Sequence, residues 1–175
     1  MLVNNAGGAL TPVKWSKASE MSRGDIAANL ELNLLSAIEL SQAVLPTMQR
    51  QGSGAIVNIS SIAALHASRR DGSLAPYALA KSALIQFTRQ LAQAVGPDGI
   101  RVNCIACGTI QTARIAALAK SRNIGAEAEL AAIPLQRLGT PEDIAGVVEF
   151  FVNDAAAYVT GQCLSVCGGS ILFPN

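Results

Sequence analysis

Four short apolar, β-branched runs, each closed by small or hydroxyl-bearing residues, constrain this chain more than any other feature. Met1-Leu-Val-Asn-Asn5 leads into Ala-Gly-Gly8, and Ala55-Ile-Val-Asn-Ile59 leads into Ser60-Ser61. Ile100 to Ala106 leads into Cys107-Gly-Thr109, and Gln162 to Val166 into Cys167-Gly-Gly169. Such runs read as buried strands ended by tight turns. Between them the spacing turns helical. Ile26, Leu30, Leu34, Ile38, Val44 and Leu45 predict a helix from about Ser19 to Met48, ended by Gln51-Gly-Ser-Gly54. Pro76 suits a helix's first turn and opens a segment running to Val95, before Gly96-Pro-Asp-Gly99. Thr140 as N-cap, Pro141 at the first helical position and the acids Glu142 and Asp143 predict a helix to about Asn153. An Ala-rich segment from Thr112 to Leu138 carries no strand pattern. Strands alternating with helices specify an α/β architecture with a parallel sheet and right-handed crossovers. With no repeat or linker, residues 1–175 read as a single domain.

Half of the residues are hydrophobic and 14% are charged, a globular composition. A net charge of +1 gives no long-range field for nucleic acid or an anionic membrane, and Arg69-Arg70 is too small a basic patch for either. Charges and prolines interrupt every apolar stretch before it reaches a membrane span. The opening MLVNNAGG lacks a secretion signal's basic region and apolar core, so the expected compartment is the cytoplasm. Four cysteines, Cys104, Cys107, Cys163 and Cys167, are then expected as free thiols. A four-cysteine zinc site is disfavoured because residues three apart on an extended strand face opposite sides, and no metal is expected.

In an open parallel sheet, ligands bind beyond the carboxyl ends of the strands, where this chain gathers glycines and hydroxyls. Tyr77-Ala-Leu-Ala-Lys81 starts the helix that follows Ser61. Its i, i+4 spacing puts phenol and ammonium on one face, and a nearby cation and the helix N-terminus both favour phenolate. Read alone, such a spacing defaults to a surface pair, and Asn33 to a buried helix amide satisfied by the backbone.

Taken together, the motifs resemble the short-chain dehydrogenase/reductase family. The resemblance rests on Asn4-Asn5-Ala6-Gly7, Ile56-Val-Asn-Ile-Ser60-Ser61, Tyr77-x-x-x-Lys81, Ile100-Arg-Val-Asn103, Pro134-Leu-Gln-Arg-Leu-Gly-Thr-Pro-Glu-Asp143 and Tyr158-Val-Thr-Gly161, in that order. It implies a partial Rossmann-like, doubly wound parallel sheet that lacks its first strands. The chain would be the catalytic C-terminal part, without the glycine-rich nucleotide-binding unit that opens the family's fold. It implies a catalytic set of Asn33, Ser61, Tyr77 and Lys81. It also implies cofactor contacts from Asn5, Ala6, Gly7, Tyr77, Lys81, Gly108, Ile110 and Thr112. The implied activity is NAD- or NADP-dependent hydride transfer on a small-molecule ketone or secondary alcohol, in the style of the 3-oxoacyl reductases, by a homo-oligomer (dimer or tetramer). The alternative is a non-catalytic oligomerisation module of the same fold.

Two positions depart from the family pattern: Cys107 stands where proline usually precedes Gly108, and Cys167 where aspartate often precedes Gly168-Gly169. Because the family's strands ending near Cys107 and Cys167 are neighbours, these two are expected to lie close and to be linkable by oxidation. His66, Arg69, Arg70 and Asp71 fall in a polar segment read as a solvated loop, with recognition of an acidic substrate as the alternative. The segment from Ala113 to Arg137 is the expected lid.

Overall fold

The computed structural model describes residues 1–10, 17–67, 74–122 and 124–172. Four strands form one all-parallel sheet in the order β1 (Leu2–Asn4), β2 (Gly54–Ser61), β3 (Ile100–Cys107), β4 (Cys163–Val166). Each falls where the sequence puts a strand, with β2 and β3 slightly longer. Sequential order across a parallel sheet requires a crossover at every step, and the helices supply it.

The first crossover starts later than the spacing predicts. α1 spans Arg23–Leu30 rather than beginning near Ser19, because Ser22 and Asp25 form a reciprocal capping box. It passes without a break through a π-helical turn, Glu31–Leu35, into α2 (Ser36–Gln51), which ends on Gly52 in the left-handed conformation. α3 (Ala75–Val95) carries Pro76 in its first turn, as expected. In the Ala-rich segment lie α4 (Ala113–Arg122) and the short α5 (Glu127–Ala131). Thr140 and Asp143 cap α6 (Pro141–Val152), and Arg137 clamps the same Asp143 carboxylate with two hydrogen bonds of 2.6 and 2.8 Å.

Strand alternation divides the core. Leu2, Ile56, Ile100 and Val102 pack against Met48 of α2 and Leu91, Ala92 and Val95 of α3. Val57 and Ile105 face the other way, onto Phe151 of α6 and Ala156. The sheet therefore has helices on both faces, with α2 and α3 on one and α6 on the other. Among the described residues no helix is long and apolar enough to cross a membrane.

Candidate active site

The site lies at the carboxyl edge of the sheet, where β1, β2 and β3 end. Ser61 is the last residue of β2. It caps a single 3-10 turn, its hydroxyl accepting from the Ala63 amide at 3.2 Å. That turn is tied to α3 by the Ser82 hydroxyl, which donates to the Ala64 carbonyl at 2.8 Å. Ser60 donates to the Lys81 carbonyl at 3.0 Å, pinning α3 against the end of β2. These contacts bring the first turn of α3 over Ser61, whose hydroxyl lies near enough to the Tyr77 phenol to pull its pKa down.

One turn further on, Lys81 is 3% exposed; its ammonium donates to the Ile59 carbonyl at 2.7 Å and lies 6.0 Å from the Tyr77 ring centre. Burial lowers its pKa to about 8. Burial also raises the Tyr77 pKa, against the opposing pull of the Ser61 hydroxyl and the Arg114 guanidinium. This reverses the expectation of a lowered phenol. A lysine that titrates near 8 is already neutral at the alkaline pH where the phenol ionises, so it offers no charge there. Near neutral pH Lys81 is mostly charged, and its field favours any phenolate formed in passing.

Asn33 comes from the π-helical turn, a distortion found frequently at functional positions. Its amide donates to the Gly8 and Asn29 carbonyls, both at 3.1 Å, and accepts from the Gly8 amide at 2.9 Å. The side chain is thus satisfied by backbone, and what it holds is the turn after β1. Gly7, at φ +156°, fills the gap between Asn33 and Lys81: a Cβ there would sit 2.6 Å from Asn33 Oδ1 and 3.0 Å from Lys81 Nζ. Only glycine fits without displacing one of them.

Two cavities border these groups. The larger, about 660 Å³, is lined by Asn5, Gly7, Tyr77, Lys81, Ile110 and Thr112, with an apolar wall that includes Val3, Ile59, Ile144 and Val148. The smaller, about 140 Å³, lies around Gly108, Ile110 and Cys167. Of the residues implied as cofactor contacts, Asn5, Gly7, Tyr77, Lys81, Ile110 and Thr112 meet at the larger cavity. Gly108 lines only the smaller one. A Cβ on Gly108 would come 2.9 Å from Cys167 Cα, so its glycine permits close approach of two turns. Ala6 is exposed and lines neither cavity. Thr112 caps α4, its hydroxyl accepting from the Ile115 amide at 3.2 Å.

Arg114, which the sequence reading missed, leans from α4 across the turn after β1 and donates to the Gly7 and Ala9 carbonyls at 3.4 and 3.3 Å. Its signal was available: it is the first cation after Thr112, in the segment expected to be the lid. Arg69, Arg70 and Asp71 lie outside the described residues.

Cys107 and Cys167 lie near each other, as expected, since a Cβ on Gly108 would come 3.0 Å from Cys167 Cβ. Cys107 is nevertheless in register with Val166, and Cys104 with Cys163. A one-residue offset on a strand moves a side chain to the other face, so the Cys107 and Cys167 side chains point different ways. The Cys167 thiol instead turns into its own loop, 3.7 Å from the Ile171 carbonyl.

A catalytic-type serine, tyrosine and lysine at the carboxyl edge of a doubly covered parallel sheet define the class. Residues 1–170 match the family model described as enoyl-(acyl carrier protein) reductase, and the chain belongs to the short-chain dehydrogenase/reductase family. It is 39% identical over 165 residues to the cyclohexanol dehydrogenase of Rhodococcus sp. (strain TK6), covering 94% of this chain and 60% of that protein. It is 41% identical over 169 residues to the 3-oxoacyl-(acyl-carrier-protein) reductase FabG of Chlamydia muridarum, covering 97% of this chain and 64% of that one. A gluconate 5-dehydrogenase from Burkholderia cenocepacia J2315, solved in complex with NADP and tartrate, superposes with a TM-score of 0.86 at 28% identity, over 97% of this chain and 64% of the other. The chain thus spans about three fifths of the length of the relatives it matches.

Proposed function

We propose that the polypeptide containing these residues is an NAD- or NADP-dependent oxidoreductase that interconverts a small-molecule ketone and a secondary alcohol. The observation that carries this reading is that Tyr77 and Lys81 line the larger cavity together, with the Ser61 hydroxyl close to the phenol. That cavity's size falls within the range of small-molecule and cofactor sites. Its apolar wall suits a flat ring, and Lys81 offers a donor for a ribose hydroxyl.

A nicotinamide nucleotide, when bound, supplies or receives the hydride. The chain's own residues handle the proton and the oxygen. Tyr77 gives its phenolic proton to the carbonyl oxygen on reduction and takes it back from the alcohol on oxidation. Ser61 donates to the same oxygen and holds it beside the phenol. Lys81 stabilises the phenolate that this transfer leaves and anchors the nucleotide. Asn33 keeps the turn at Gly7 and Gly8 in place behind Lys81. Asn5, Ala6, Gly7, Gly108, Ile110 and Thr112 complete the nucleotide's contacts.

The names of the relatives differ in substrate but share alcohol–carbonyl chemistry, and the solved relative with NADP supports a nicotinamide cofactor. Leu40 and Leu79 are each about half exposed on α2 and α3, which supports assembly into a homo-oligomer through those helices. Four cysteines free of disulfides fit a reducing cytoplasm.

Titration of NADH or NADPH with the purified protein tests the reading by nucleotide fluorescence. A saturable change with at least one of the two is expected; none with either contradicts the proposal.

A further inference from the structure

A row of polar side chains crosses the whole sheet two residues before Ser60. Asn4 of β1 is in register with Asn58 of β2, Asn58 with Cys104 of β3, and Cys104 with Cys163 of β4. Hydrogen bonds tie its asparagine half to α3. Asn4 donates to Asn58 Oδ1 at 2.8 Å, and Asn58 donates to the Thr88 hydroxyl of α3 at 2.9 Å. The Cys104 thiol lies near the Thr88 hydroxyl and the Cys163 thiol, and both neighbours act on its ionisation. The proposed function uses neither cysteine.

We propose that Cys104 and Cys163 are a modification site, a thiol pair that a hydroperoxide oxidises to a disulfide joining β3 to β4. Register partners on neighbouring parallel strands lie about 4.8 Å apart, inside the roughly 4.4–6.8 Å that a disulfide spans between Cα atoms. They also point to the same face, close enough for each thiol to influence the other's ionisation. The two thiols occupy different settings. Cys104 is fully buried under α3, whereas Cys163 lies half-buried on β4, at the edge of the sheet. The neighbouring Cys104 thiol and the Arg89 guanidinium lower the Cys163 pKa, while the Cys163 thiol and burial raise that of Cys104. Cys163 is therefore the more readily ionised of the two and Cys104 the less, a division that suits stepwise oxidation.

In the first step the Cys163 thiolate attacks the hydroperoxide. The O–O bond breaks, an S–O bond forms, and the alcohol (water, for hydrogen peroxide) leaves with one proton. In the second step the Cys104 sulfur attacks the sulfenic acid, the S–S bond forms and water departs with the thiol proton. Two thiols and one hydroperoxide thus give one disulfide, one alcohol and one water. Cys107 and Cys167 lack this placement: one faces α6 opposite Val166, and the other is turned into its own loop.

The test is exposure of the folded protein to hydrogen peroxide, alkylation of the remaining thiols, and non-reducing tryptic mass mapping. Trypsin leaves Cys104 and Cys107 together in Val102–Arg114, and Cys163 and Cys167 together in Leu138–Asn175, so fragment ions must place the bond. The expected product is a 104–163 bond that is lost in Cys163→Ser and retained when Cys107 and Cys167 are both changed to serine. Thiols that stay free, a Cys163 that proceeds to sulfinic acid, or a bond made through Cys107 or Cys167 would each overturn the proposal.

Discussion

Both faces of the sheet rest on apolar clusters, but they differ towards the carboxyl ends of the strands. Towards α2 and α3 the strands present Asn4, Asn58, Ser60 and Cys104, and the helices answer with Ser41, Thr88 and Lys81. Towards α6 they present Val57, Ile59 and Ile105 against Phe151, Ile144 and Val148. Asn103 is the polar exception there, and it braces the turn before β4 by donating to the Val159 carbonyl and accepting from the Gln162 amide. The polar face sets orientation, because a hydrogen-bonded row admits one rotation and one height of α3 over the sheet. The apolar face sets volume: it fills the core below and walls the larger cavity above. A site that must aim a phenol and an ammonium needs the first; a site that must accept a flat ligand needs the second.

Lys81 tests that contrast hardest. Lys81→Met is expected to abolish most turnover and nucleotide binding while leaving the fold at least as stable near neutral pH. The stability half follows from linkage. The folded-state pKa is lowered from 10.5 to about 8, so the unfolded chain binds more protons between those values and stability rises with pH across that window. A shift of that size corresponds to about 3 kcal/mol. Denaturant midpoints at pH 7 and pH 10 should rise for the parent relative to Lys81→Met; parallel changes in both proteins would remove the argument.

Smaller effects separate the faces by kind. Phe151→Ala empties the apolar side and should cost about 3–5 kcal/mol, with the pH profile of turnover unchanged. Thr88→Val leaves Asn58 without its buried acceptor and should cost about 1–3 kcal/mol. It should also shift the pH profile, because it loosens the helix that carries Tyr77 and Lys81. Chemical denaturation alongside pH–rate curves checks both, and a reversed pattern would break the comparison.

The layout of the fold was legible because strand and helix periods differ and each strand ends on its own turn. Tyr77, Lys81 and Ser61 were legible because one helical turn and one strand end bring them together. The π-helical turn at Asn33 was not legible: one added residue in a helix leaves no mark on the apolar spacing. The closeness of Cys107 and Cys167 was legible, but the register of Cys104 with Cys163 was not, because register is a property of two strands and alternation within one strand cannot supply it. A trace of the polar row was present in Val3-Asn4 and Val57-Asn58, in register as pairs. The same dipeptide at Val102-Asn103 is offset by one residue, which turns Asn103 to the α6 face and puts Cys104 in the row. Arg114 acts through backbone carbonyls more than a hundred residues away, a contact that no local pattern encodes.

The central claim is that Tyr77 is the proton donor and acceptor of a nicotinamide-dependent oxidoreductase. It is tested most directly by comparing Tyr77→Phe with the parent in two assays, turnover of a ketone or secondary-alcohol substrate and equilibrium binding of the nucleotide. Removing one general acid–base group typically costs about 10²–10⁴-fold in rate. The account predicts a loss of that order with nucleotide affinity essentially unchanged, since Lys81 and the cavity wall remain. Turnover close to that of the parent would contradict it.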